Sequence, residues 1–94
     1  MFTLHIEHTV TNYDDWKRMF DSDPLDRKGS GVTSFRVMRP VSDSGSVMID
    51  LEFDSRDAAE RMATALEGLW KGPAAAITLN PSATLTETVE TVTL

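Results

Sequence analysis

The sequence predicts an α+β domain of the ferredoxin-like kind: a four-stranded sheet with two helices on one face. Three observations predict it. Four segments carry strand patterning, two carry helical spacing, and their order along the 94 residues is β-α-β-β-α-β. Both helices must bury their stripes on one sheet face. Right-handed crossovers then give the strand order 4-1-3-2, with the first and third strands at the centre. The expectation is a single domain over residues 1–94.

Each element has its own signal. Residues 2–10, FTLHIEHTV, alternate, with Phe2, Leu4, Ile6, His8 and Val10 pointing one way and Thr3, His5, Glu7 and Thr9 the other. Asn12 reads as a helix N-cap, and Tyr13, Trp16, Met19 and Phe20 then share one helix face. Residues 24–28 are expected to add a second, kinked turn, ended by Gly29-Ser30-Gly31. Residues 32–39 form the second strand, with Phe35 and Val37 facing the core and Ser34, Arg36 and Met38 facing away. The turn residues PVSDSG (40–45) link it to residues 46–53, the cleanest strand, whose Val47, Ile49, Leu51 and Phe53 face in.

Asp54 or Ser55 caps the second helix, whose apolar stripe is Ala58, Ala59, Met62, Leu66, Leu69 and Trp70. Gly72-Pro73 stops it. Residues 71–82 read as a loop with a short helical turn, and the Thr-rich run 83–94 as the last strand. In that run Leu85 and Val89 share the core face, while Val92 and Leu94 fall on the other. A bulge, or an arm laid on a partner, would bury both pairs.

Composition excludes several functions. The chain is acidic, with a net charge of −6 and scattered basic residues, which argues against a grip on nucleic acid. It has no cysteine, so thiolate nucleophiles, disulfides and Cys-based zinc sites are out. No signal peptide and no apolar run of membrane-spanning length is visible, so a cytoplasmic location is the expectation. No nucleotide-binding glycine motif occurs. A chain this short has a thin core, which favours pairing with a second copy.

The runs HTVTNYDDWKRMFD and GVTSFRVMRPVSDSGSVMIDLEFDSRDAAERM resemble small bacterial proteins of the dimeric α/β-barrel superfamily, antibiotic biosynthesis monooxygenase-like domains among them. The pattern is His8, Val10, Tyr13, Asp14 and Trp16, then Gly31, Val32, Arg36, Val37 and Arg39, then the junction Glu52-Phe53-Asp54. The likeness spans about residues 4–66. It implies that two sheets pack face to face into a barrel, and that a small-molecule pocket lies between sheet and helices. It also implies a cofactor-independent, monooxygenase-like enzyme acting on an aromatic or polyketide-like substrate, with no bound cofactor. The rival expectation is a non-catalytic ligand-binding or structural dimer on the same fold. Known sites of such proteins use an Asn, Trp, Tyr or His lining the pocket, and the resemblance assigns none of these roles to a position here.

The residues themselves offer one cluster. On the sheet face away from the helices, His5 and Glu7 lie two apart, and Asp50 and Glu52 lie on the adjacent strand. Cross-strand neighbours stand ~5 Å apart, so one imidazole and three carboxylates could ligate a metal. Arg36 on the same face could instead neutralise the acids, giving an ordinary charge network. Trp70, at the end of the second helix, is the other pocket candidate. His8 reads as a core imidazole bonded to nearby backbone. Trp16, Tyr13 and Phe20 read as core.

Overall fold

Leu4, Ile6 and His8, alternate residues of the first strand, are all buried, as period-two patterning requires. The computed structural model describes residues 1–94 and has the predicted order: β1 (Phe2–Thr9), α1 (Tyr13–Asp21), β2 (Val32–Met38), β3 (Ser46–Phe53), α2 (Arg56–Lys71) and β4 (Leu79–Glu87). The sheet runs β2-β3-β1-β4, the predicted arrangement, with every pairing antiparallel. Central β1 pairs with β3 in an unbroken register from Phe2↔Phe53 to Thr9↔Ser46.

The caps form as their residue types dictate. Asn12 Oδ1 accepts from the Asp15 amide at 3.0 Å, and Ser55 Oγ accepts from the Ala58 amide at 3.2 Å. So Ser55, not Asp54, caps α2. Gly72 ends that helix. Trp16 is the buried residue of α1, while Ala58, Ala59 and Met62 are those of α2. They close over Leu4, Ile6, Ile49, Leu51 and Phe53 to form one core. The opposite sheet face has no helix on it.

Five expectations are corrected. Residues 24–28 form turns rather than a kinked helix, with Asp23 and Asp26 at positive φ. β2 carries an extra residue: Val32 opposes Phe53 but Ser34 opposes Glu52. Thr33 is the bulge, and it puts Val32 on the same sheet face as Phe35 and Val37, where Val32 is buried. Phe35 is on the predicted face but remains 46% exposed, because β2 is an edge strand that the helices only partly cover.

The last strand runs from Leu79 to Glu87 rather than from 83 to 94. Pro81 is admitted because β4 lies on a sheet edge, where a missing N–H is tolerated. Asn80 takes φ 51 as the pairing shifts from Glu7↔Ser82 to Thr9↔Leu79. Val89 therefore lies beyond the strand, exposed, and not in the core.

Candidate functional site

Two sets of chemistry-bearing residues emerge, on opposite faces of the sheet. The helix-free face holds the cluster read from the sequence. His5 and Asp50 are direct partners in the β1–β3 register, and Arg36 opposes Asp50 from β2. His5 Nδ1 lies 2.6 Å from Asp50 Oδ1, and Arg36 Nη2 donates to Asp50 Oδ2 at 2.8 Å. His5 Nε2 lies 3.4 Å from Glu7. Glu52 instead accepts from the Thr3 hydroxyl at 2.7 Å.

The arrangement is an ion network. The Asp50 carboxylate raises the His5 imidazole above its ordinary range, burial opposes that, and Glu7 adds to it. Burial pushes Asp50 up, but its bonds to His5 and Arg36 outweigh this and leave it below the usual carboxylate value. Both Asp50 oxygens and both His5 nitrogens are engaged. No group of three or more His, Asp and Glu side chains converges to hold a metal ion, so the metal reading of His5, Glu7, Asp50 and Glu52 finds no geometric support.

The other set surrounds a cavity of about 50 Å³ between the sheet and the two helices. Its sheet wall is Ile6, His8, Ile49 and Leu51; Trp16 and Phe20 come from α1; Met62 and Trp70 come from α2. Asp23, Leu25 and Arg27 close it from the α1–β2 connection. Eleven of the fifteen lining residues are hydrophobic, so the few polar groups stand out as the orienting ones.

His8 is the titratable group of the sheet wall, and it is 5% exposed. Its ring packs against Trp16, with centroids 5.3 Å apart. Trp16 in turn stacks on Phe20 at 5.1 Å. His8 Nδ1 faces the Thr9 carbonyl at 3.3 Å. A carbonyl only accepts, so Nδ1 carries the proton and Nε2 keeps its lone pair. Burial pushes the His8 pKa down, with the Thr9 bond opposing, so the ring is neutral at physiological pH.

The structure thus divides the candidates named from the sequence. His5, Glu7, Arg36, Asp50 and Glu52 come together on one face, and Trp70 lies on the other, in the cavity wall. His8 and Trp16 are buried, as read, Phe20 packs half-buried against the core, and all three are also cavity wall. Arg27 carries no site signal of its own in the sequence. The one pointer to it is the adjacent basic pair Arg27-Lys28 directly after the Pro24 interruption.

At the level of sequence, no family profile and no curated relative matches the chain. Its three-dimensional fold has clear counterparts. SnoaB, a cofactor-independent oxygenase from Streptomyces nogalater, superposes with a TM-score of 0.74 at 18% identity, over 97% of this chain and 95% of that one. MhuD, in a mutant form holding two manganese protoporphyrin IX per active site, gives 0.73 at 17% identity over 99% of both chains. A dimeric ferredoxin-like protein from an uncultured marine organism gives 0.65 at 19% identity over 97% of both. Proteins assigned to the antibiotic biosynthesis monooxygenases, from Deinococcus radiodurans and Nitrosomonas europaea, share the architecture as well. The chain therefore shares the ferredoxin-like β-α-β-β-α-β fold of these proteins. No helix of the chain is long and apolar enough to cross a membrane.

Proposed function

We propose that the protein is a homodimer whose helix–sheet cavity takes an aromatic small molecule and oxygenates it without a bound cofactor. The observation that carries this reading is His8: a buried, neutral imidazole in the wall of an apolar cavity between Trp16 and the sheet. A neutral histidine is a competent general base. Its natural target is a carbon acid flanked by aryl or carbonyl groups. Once deprotonated, such a carbon passes electrons to O2 and forms a C–O bond as a hydroperoxide. Loss of water leaves a carbonyl, so a CH2 group plus O2 becomes C=O plus H2O. The chain's own residues would orient the rings, exclude water and accept the proton. The likeness to SnoaB supports this class of reaction, and the dimeric ferredoxin-like counterpart supports the pairing.

One observation favours a second reading, a non-catalytic structural or ligand-binding module. The cavity, at about 50 Å³, accommodates water rather than a ring, since benzene needs ~150 Å³. Anthrone, with one CH2 between two aryl rings, separates the two. Oxygen uptake and quinone absorbance above the spontaneous rate, lost in His8→Gln, is the expected result. Binding of anthrone without acceleration would leave the module reading in place.

A further inference from the structure

Arg27 is the one cation of the cavity wall, and it also lines an open groove of about 610 Å³ outside it, with Lys28 and Phe35. Its guanidinium carbon lies 4.0 Å from the Phe20 ring centre and 4.8 Å from that of Phe35. The two rings meet edge to face at 5.3 Å. The side chain is therefore the partition between an inner aromatic cavity and an outer aromatic groove. We propose that Arg27 anchors an ionised oxygen, carboxylate or phenolate, on an aromatic substrate, and that it is the wall that moves to admit the rings. This rests on the cavity being an aromatic-binding pocket.

The hydrogen bonds of Arg27 leave room for such a partner. Nη1 donates to the Phe20 carbonyl at 2.8 Å, and Nε lies 3.5 Å from Asp23 Oδ1. Nη2 has no protein partner. The Asp23 oxygen is already engaged, accepting from the Arg27 amide at 2.9 Å. Lys28, in the same groove, makes no ion pair, so the groove holds an unspent positive charge in an otherwise acidic protein. A carboxylate offers a guanidinium the two-pronged partner that a single backbone carbonyl does not. Swinging Arg27 toward such an anion joins cavity and groove, which share Asp23 as well. That supplies the volume the small inner cavity lacks. Phe35, half-exposed on the edge strand, then has an occupant for its ring face.

The experiment compares 2-naphthoate with 2-naphthamide, equal in size and different in charge, by NMR titration of the full chain. The expected result is about tenfold tighter binding of the carboxylate. Its addition shifts the Arg27 Nε–Hε resonance. The preference falls to near unity in Arg27→Gln and is only partly kept in Arg27→Lys, which retains the charge but not the fork. Equal affinities overturn the proposal, as does a preference that Arg27→Gln retains or shifts that map to the His5–Arg36 face. If Arg27→Gln does not fold, the wild-type Nε–Hε shift decides the matter alone. Failure of both compounds to bind sinks the aromatic pocket itself. Binding of both at equal strength sinks only the role of Arg27.

Discussion

Asp50 holds His5 with one carboxylate oxygen, at 2.6 Å, and Arg36 with the other, at 2.8 Å. Both links cross strands, so the trio ties β1, β3 and β2 together on the helix-free face. The pair's stability depends on pH with a definite sign. His5 is raised, so its contribution is present below its unfolded pKa and is lost as pH rises through the folded value. Asp50 is lowered, so its contribution is present above its unfolded pKa and is lost as pH falls through the folded value. Both are charged near pH ~5. There His5→Ala should cost about 1 kcal/mol or less, because the ring is a third exposed and solvent screens it. The cost should shrink toward pH ~9. Urea melts at the two pH values test this, and an equal cost at both would refute the charged pairing.

His8 should show the opposite slope. Its pKa is lowered by burial, so the unfolded chain binds the proton more readily. Folding stability should therefore fall as pH drops below about 6.5. In His8→Gln that component of the acid sensitivity should vanish, while the Asp50 component remains. A His8→Gln variant with an unchanged acid limb between pH ~6.5 and ~5 would show that the ring is not held neutral.

Two glycines should respond to alanine with opposite signs. Gly31 has φ +100, and a Cβ there would stand 3.0 Å from the Ala58 Cβ at the start of α2. Both effects oppose a side chain, so Gly31→Ala should cost about 1–3 kcal/mol. Gly68 lies within α2 with open space around its missing Cβ. Gly68→Ala should stabilise by about 0.5–1 kcal/mol through helix propensity. Thermal melts of the two variants should move in opposite directions.

Trp16→Ala should be the most damaging single truncation. Trp16 is 2% exposed and touches His8, Tyr13 and Phe20 across the core. Losing it should cost ~3–5 kcal/mol. A melt within a degree or two of wild type would mean that the ring is wall only, not core.

The parts of this fold that repeat are legible in the sequence, and the parts that break a repeat are not. Val47, Ile49, Leu51 and Phe53 alternate without interruption, and all four are buried as read. Asn12 and Ser55 announce their caps by residue type, and the caps form. Val32 shows no core role in the sequence because Thr33 is a bulge, and a bulge inverts parity without a residue signature. The start of β4 is hidden by Asn80-Pro81, which reads as loop unless the strand is known to be an edge. The site follows the same logic. The His5–Asp50–Arg36 cluster can be built from strand parity and neighbour order alone. The cavity cannot, because His8, Trp16, Trp70 and Arg27 meet through the packing of several elements and one turn. Strand parity places His8 correctly as buried, yet burial alone does not distinguish a core ring from a pocket wall.

The remaining prediction concerns the segment after β4. Thr88 adds one last bond to the sheet edge, its amide donating to the Met1 carbonyl at 3.0 Å. Beyond it Val89, Val92 and Leu94 are exposed, at 92%, 64% and 115%. Three large apolar side chains so close together, with no cover from their own chain, are costly in water. The helix-free sheet face offers a partner copy a surface that already holds a fixed ion network. A homodimer that packs these faces and lays each tail on its partner would bury both. Light scattering at micromolar concentration should then give about twice the 10.4 kDa chain mass. Deleting residues 88–94 should weaken the dimer at least tenfold while leaving the far-UV circular dichroism of the fold intact, because none of those residues lies in the core. A full-length particle of single-chain mass would rule out the dimer. An undiminished dimer without the tail would confine the interface to the sheet faces.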